Sequence, residues 1–523
     1  MSVFNFQKRM YGVNRLLIST TLALIIISCG SLRAEEAQYF DKDAYIAAAN
    51  SPETLELAMV DCVAMALKSN SEINIKRITP HIEDNNVLIQ KSRFEPHFTF
   101  AGSLSDSVEQ DPDTLLDANI LKTRIGVFDF GYKQKFTTGA DLKLDFLNSR
   151  TSSNSPVFIP EPAYESDAQI AITQPLLKGA GLAVNTADFR ISKNNKLKSL
   201  QDFTQEVIKV LTNVKKAYYD FQYSREQYIV AQKSLKRVDD LHRINKEKYT
   251  KGLASDIDIT ESEAEVARIR EALYEAEAIM KLAEDTLKLI TNLVDDPTLW
   301  NVRIVLLEGL GYEKRDVDLP ESIKTAFIHR PDYEAAKIDL RNRDIVVVVN
   351  ENGMLPIVNL KASYGLNGLD QLYGKDLANV GGGKYNNWTV GVNVDVPLIG
   401  DENRGKYEKS KFEKEQALLA FQRLEQKIIL DVRNVVRDIG INYKKLEASK
   451  ISKESEDKNY TAQELRFKAG LVSTLDIVIY QERLARAEVS YVKSIIDYNV
   501  SLIELSRAQG TMLLDDNITL DES

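Results

Sequence analysis

The feature that most constrains this chain is that it is written twice. The stretch YTKGLASDIDI (249–259) returns 218 residues later as FKAGLVSTLDI (467–477). Each copy has an aromatic residue three before a Gly-Leu pair, a Ser three after that Gly, and Asp-Ile six and seven after it. Three more landmarks recur in the same order. ALKSNSEI (66–73) aligns with AFIHRPDY (326–333) at an offset of 260, and the same offset carries Pro96 onto Pro356. ITQPLLKGAG around Pro175 matches VDVPLIGDEN around Pro397 at an offset of 222. Ordered self-similarity of this kind marks a duplicated structural unit. The falling offset means that the first copy holds about 40 additional residues, between Pro96 and Pro175.

Each copy reads helix, strand region, long helix, Gly-Leu turn, long helix. The first predicts helix over 55–93 and 186–249 with a partner arm over 257–293; the second predicts the long pair over 402–467 and 475–509. A run of about 60 residues is about 90–95 Å long at 1.5 Å per residue. Val207, Leu211, Val214, Tyr218, Phe221, Tyr228 and Leu235 keep a heptad seam along the first run. A hairpin of helices with so narrow a seam cannot bury enough surface alone, so it needs neighbours from the other copy or from other chains.

The strand segments alternate with period two. Trp388, Val390, Val392, Val394 and Val396 share one face, with Thr389, Gly391, Asn393 and Asp395 on the other. In the extra residues Phe128, Phe130, Tyr132 and Phe136 alternate with Asp129, Gly131, Lys133 and Lys135. After Thr137-Thr138-Gly139, Leu142, Leu144 and Phe146 alternate with Asp141, Lys143 and Asp145. Such alternation fits a half-exposed antiparallel sheet. Segment length, terminal aromatics and export favour a β-barrel in lipid.

Export is written at the start. Lys8, Arg9 and Arg15 precede LLISTTLALIII (16–27), an apolar core of twelve residues, shorter than the roughly 20 that a membrane helix needs. Ile26-Ile27-Ser28-Cys29 has the form of a lipobox, which makes Cys29 a lipidation site after removal of 1–28; ordinary cleavage near Ala34 is the alternative. Cys62 is then a lone thiol on an amphipathic helix. No later segment is apolar enough for a transmembrane helix, so any membrane crossing must use strands.

Net charge of −10 with 28% charged residues argues against a nucleic-acid partner. His81, His97, His242 and His329 are scattered, with no metal-ligand spacing, nucleophile elbow or phosphate loop. That leaves an enzyme, a cofactor or a metal without a sequence basis.

The A-L-x-x-N segment, the Pro before each ascending strand, Q-P-L-L and V-P-L-I after the descending ones, and the two G-L-x-S-x-x-D turns together resemble the TolC-type outer-membrane efflux proteins. The resemblance runs from about Thr54 to Met512. It implies a mainly α fold with a transmembrane β-barrel portion: a homotrimer whose helices form a hollow α-barrel and whose strands form one β-barrel in outer-membrane lipid. It also implies a periplasmic adaptor and an inner-membrane pump as partners. The alternative is a lipid-anchored periplasmic coiled-coil scaffold without a channel. The division is a signal segment (1–28), an N-terminal segment (29–53), a first repeat (54–296, with a strand insert at about 106–166), an equatorial linker (297–318), a second repeat (319–512) and a tail (513–523). Family members typically contribute four strands per protomer; the extra hairpin here allows six, or else projects from the surface.

The turns carry the site. Gly252 and Gly470 supply positive φ, Leu253 and Leu471 an apolar knob, and Ser255 and Ser473 an N-cap, with Asp258 and Asp476 where a capping-box acid sits. The resemblance makes these tips the adaptor-docking end and puts Asp476, with Val472 and Leu475, at the pore constriction. Two residues depart from the family's best-known member: Val472 replaces a gate-locking Arg, and Ile479 replaces a second acid. Closure is then expected from Leu471, Val472 and Leu475. For the anchor, palmitate labelling of the wild type and its loss in Cys29→Ala is the expected result; equal labelling of both proteins would refute lipidation at Cys29.

Overall fold

A computed structural model describes residues 54–110, 120–155, 158–293 and 297–520. The export signal, Cys29 and the segment 29–53 lie outside the described residues. In chain order the elements are β1 (Thr54–Leu57), α1 (Met59–Ser69), α2 (Ser71–Ser92), β2 (His97–Gln110), β3 (Ile120–Lys135), β4 (Asp141–Ser153), β5 (Ala163–Pro175), α3 (Ala187–Thr250) and α4 (Asp256–Ile290). They continue as β6 (Arg303–Leu306), α5 (Leu319–His329), α6 (Pro331–Gly353), β7 (Ile357–Asp370), α7 (Tyr373–Gly381), β8 (Asn386–Asp395), α8 (Asp401–Lys468) and α9 (Thr474–Gln509).

The two long helices have 64 and 68 residues, or about 96 and 102 Å. Val207, Leu211, Val214, Tyr218 and Phe221 are buried as the heptad predicts. Beyond them the buried line moves to Val230, Ser234, Val238, Leu241 and Asn245, and Tyr228 and Leu235 are only half-buried. A straight helix drifts about 20° per heptad against a 3.5-residue repeat, so the seam steps sideways over this length. Near the sheet, α2, α3, α6 and α8 lie side by side in that order; away from it the order is α4, α3, α9, α8. The helical layer is therefore four helices wide at both ends.

The duplication extends to single bonds at mid-height. Each copy breaks its first helix at an extended residue, Asn70 or Arg330. Asn70 caps α2 through its Oδ1 and donates from Nδ2 to the Ile290 carbonyl at 2.9 Å. Arg330 donates to the Ala508 carbonyl at 3.2 Å. Ile290 and Ala508 are themselves equivalent, at the offset of the two tips. Two residues further on, both helix ends turn left-handed, at Asn292 (φ 57°) and Gly510 (φ 74°). Asn292 donates from Nδ2 to the Ser69 carbonyl at 2.9 Å. A Cβ on Gly510 would lie 2.7 Å from the His329 carbonyl oxygen, so backbone occupies the space that a side chain uses in the first copy.

The second break carries charge. Arg330 pairs with Asp332 at 2.8 Å and Asp431 at 2.9 Å, and Arg507 meets Asp431 at 3.0 Å. Burial works to raise the Asp431 carboxyl, but the bonds from Arg507 and Arg330 outweigh it and hold the group below its ordinary value.

The structure corrects the helix expected over 55–93. Its first residues form β1, which pairs in parallel with β6 from the linker. Leu57, Ile304, Leu306 and Met512 then share one core, with Ile518 and Leu520 against it. Cys62 is fully buried in that core, and burial pushes its thiol up to about 12, leaving it protonated and inert.

The six longer strands form one antiparallel sheet in the order β2-β3-β4-β5-β7-β8. The extra hairpin is thus β3–β4, built into the sheet between β2 and β5, and the sheet has six strands. One row of facing residues crosses the whole sheet: Phe98, Tyr132, Leu144, Ile170, Tyr364 and Trp388. The neighbouring row on the other face reads Thr99, Gly131, Asp145, Gln169, Gly365 and Asn387. Phe98 is 81% and Trp388 70% exposed. An apolar face open along this row suits contact with lipid.

Candidate functional site at the helix tips

Both long helices end in the same backbone device. At the first tip the Leu253 N–H donates to the Lys248 carbonyl and the Gly252 N–H to Tyr249, each at 2.9 Å. At the second, Leu471 donates to Arg466 at 2.9 Å and Gly470 to Phe467 at 3.0 Å. These are Schellman closures, which need a left-handed residue at the turn. Gly252 (φ 72°) and Gly470 (φ 75°) supply it. The apolar residue after the Gly commonly folds back on its own helix in this motif. Here Leu253 and Leu471 instead remain 74% and 69% exposed.

The next helices start with capping boxes. Ser255 Oγ accepts from the Asp258 N–H at 3.3 Å, while Asp258 Oδ2 accepts from the Ser255 N–H at 2.9 Å and from its Oγ at 2.7 Å. Ser473 and Asp476 repeat this at 3.2, 3.0 and 2.7 Å. These bonds from Ser255 hold the Asp258 carboxyl below its ordinary value, and those from Ser473 do the same to the exposed Asp476. Capping and charge are compatible, because a capping acid works as the carboxylate.

The tips differ in what else they touch. The Thr474 hydroxyl donates to Asp258 Oδ1 at 3.2 Å and accepts from Asn245 Nδ2 at 3.1 Å. Asn245 also donates to the Asp258 carbonyl at 3.3 Å. Asn245 and Thr474 are both buried, so this polar latch joins the hairpins away from water, where its bonds are strongest. Lys248 donates to the Phe467 carbonyl at 3.1 Å and stands 3.9 Å from the centre of the Phe467 ring. Higher up, Arg237 pairs with Glu488 at 3.2 Å and lies over Tyr460. A small core of Leu241, Phe467 and Ile477 fills the space between, with Val472 and Val478 against it.

Of the residues expected at the constriction, Val472 is half-buried in this core, while Leu475 and Asp476 are exposed. Leu471 and Leu475 stay largely exposed, outside this core. The sequence reading missed Asn245, Lys248, Arg237 and Thr474. Neither Asn245 nor Lys248 carried a signal in the sequence, because the buried line of α3 past Phe221 departs from the heptad seam.

Two helical hairpins whose long arms run about 100 Å, joined at the tips and continued at the other end by a sheet with an apolar face, are the parts of a membrane channel. The sequence profile described as "Outer membrane efflux protein" matches residues 134–293 and 322–511. The outer membrane efflux protein BepC of Brucella suis is 24% identical over 478 residues, covering 88% of this chain and 86% of that protein. The outer membrane channel CmeC of Campylobacter jejuni superposes with a TM-score of 0.63 at 17% identity, over 89% of this chain and 90% of that one. The open-state MtrE channel of Neisseria gonorrhoeae gives 0.59 at 15% identity, over 87% and 89%. The chain belongs to the outer membrane efflux protein family, whose members are channels and not enzymes.

Thr474→Val removes the hydroxyl of the latch and leaves the buried Asn245 amide short of an acceptor, a loss of about 1–2 kcal/mol. Amide exchange over 250–260 and 470–478 should accelerate while the global unfolding midpoint holds; unchanged exchange would mean the latch contributes nothing. The caps have their own pH dependence. With folded values below 3.8, their stabilisation is complete above pH 3.8 and is lost as pH falls through the lowered values.

Proposed function

We propose that this protein is the outer-membrane exit duct of a tripartite efflux or type I secretion system. It works as a homotrimer and conducts passively. An inner-membrane pump supplies the energy, and a periplasmic adaptor meets the helix tips. The observation that carries this reading is the pair of latched tips, which present Leu253, Leu471 and Asp476 to solvent at the far end of the helices from the lipid-facing sheet. Large apolar residues exposed along single helices support assembly, among them Leu282 and Leu289 on α4 and Leu419 and Leu430 on α8. Packing against neighbouring protomers would cover them. A scaffold without a channel leaves the apolar row from Phe98 to Trp388 without a purpose.

Asp476 is the charge of the aperture in this reading. Three carboxylates on a narrow opening favour cations and attract divalent blockers. Val472 and Ile479 rule out a gate lock built on an Arg and a second acid at those positions. The proposed closed state combines the polar latch inside each protomer with contacts of Leu471 and Leu475 between protomers.

Purified protein in planar bilayers should give discrete cation-selective steps and run at trimer mass in detergent. Asp476→Ala should weaken block by divalent cations several-fold, and a monomer without conductance would sink the channel reading. For docking, Leu253→Glu combined with Leu471→Glu should leave the trimer and its conductance intact and abolish co-purification of the adaptor encoded with its pump. Retained co-purification would move the adaptor contact elsewhere.

A further inference from the structure

We infer that the assembled protein closes an eighteen-stranded barrel, six strands from each of three protomers; this rests on the trimeric channel proposed above. The extra hairpin is a wall segment of the pore and not an appendage. Four observations carry this.

The first is the pattern of the hairpin itself. Phe128, Phe130, Tyr132, Leu142, Leu144 and Phe146 continue the apolar face of the sheet. Asp129, Lys133, Lys135, Asp141, Lys143 and Asp145 continue the polar one. A hairpin standing clear of the membrane has no use for an apolar face, whereas a wall strand needs one face for lipid and one for water.

The second is anchorage at both ends. At the helix side, the Thr138 carbonyl accepts from the Gly181 N–H at 3.0 Å, and a Cβ on Gly139 would lie 2.5 Å from the Gly179 carbonyl oxygen. The hairpin's turn is therefore seated on the segment that leads into α3. At the other end α7 lies across the apolar face. Tyr373 packs on Phe128 and Tyr164, with ring centres 5.9 and 5.8 Å away, and Asp376 accepts from Ser166 at 2.5 Å. A Cβ on Gly368 would lie 2.3 Å from the Asp376 carbonyl oxygen, so only Gly lets the helix approach. One helix from the second copy thus clamps a strand of the extra hairpin to β5 and β7.

The third is width. Four helices side by side at 8–10 Å cover about 32–40 Å. Six strands 4.8 Å apart and tilted 35–45° take up about 35–41 Å of circumference, so the sheet and the helical layer run on without a step. The fourth is closure. β2 and β8 are the two edges of the sheet. Because the strand number is even, β8 runs antiparallel to the β2 of the next protomer. Unpaired strand edges cannot persist in hydrocarbon.

Eighteen strands give a backbone diameter of about 34–39 Å, against about 23–26 Å for twelve. The outer-membrane passage is then about 1.5-fold wider, and is lined by the added charges of the hairpin. Selection by size falls to the tips and not to the barrel.

Full-length protein in lipid nanodiscs, imaged end-on by electron cryomicroscopy, should show a trimer with the wider barrel. A nitroxide at Leu144→Cys should be relaxed more by oxygen than by a water-soluble nickel chelate, as a lipid-facing site is. A trimer with the narrower ring and an aqueous signal at residue 144 would overturn the inference and leave the channel standing. Particles without threefold symmetry or a pore would overturn both.

Discussion

The two contacts in which a broken helix grips the end of another one set the geometry of everything else. Asn70 holds the Ile290 carbonyl and Arg330 the Ala508 carbonyl. A helix of about 100 Å has no rigid relation to its neighbour if it touches it only along a narrow seam. By seizing the last turns of α4 and α9, the breaks fix where each returning arm stops and where the next helix starts. Four helices then continue toward the sheet and four toward the tips without a change in width. The chemistry is backbone accounting, since the final carbonyls of a helix have no partner within it and must find one outside. The first copy solves this with a neutral amide, the second with a guanidinium that also binds Asp332 and Asp431.

Much of this was legible in the sequence, for reasons that differ by element. The long helices declare themselves through heptads, the strands through period two, and the duplication through landmarks that keep their order. Their bounds come within a few residues because Gly252, Gly470 and the Pro residues punctuate them. What escaped is what depends on partners far away in the chain. Thr54–Leu57 is a strand only because Arg303–Leu306 lies beside it, and nothing local distinguishes it from the start of a helix. The heptad seam was right to Phe221 and then slipped, because a period of 3.5 and a period of 3.6 part company over many turns. At the tips the sequence showed the caps but not the latch. Thr474 and Asn245 look like an unremarkable helix start and a polar interruption until the two hairpins are brought together.

The extra hairpin shows how an insertion enters an antiparallel sheet without breaking it. Two strands keep the count even and the sides of all later elements unchanged, whereas a single strand would turn every following helix to the wrong side of the membrane. Alternation then makes its two faces agree with those of β2 and β5. The insertion also had to be fitted at its ends, and there glycine recurs, at Gly139 beneath Gly179 and at Gly368 beneath α7. Those positions are filled by backbone from another element, so they record close approach as well as a turn.

Duplication does not make the two tips alike in their contacts. Asp258 and Asp476 cap their helices with the same bonds, yet only Asp258 also accepts from Thr474 of the other hairpin. The residue equivalent to Thr474 in the first copy is Asp256, an acid that offers no hydroxyl to Asp476. One cap acid is therefore tied into the seam between hairpins, while the other stays exposed beside Leu475. From a common turn, one copy took on the joining of the hairpins and the other kept a carboxylate facing outward. The two roles are linked, because an exposed charge has a defined position only if the helix that carries it is held by its neighbour.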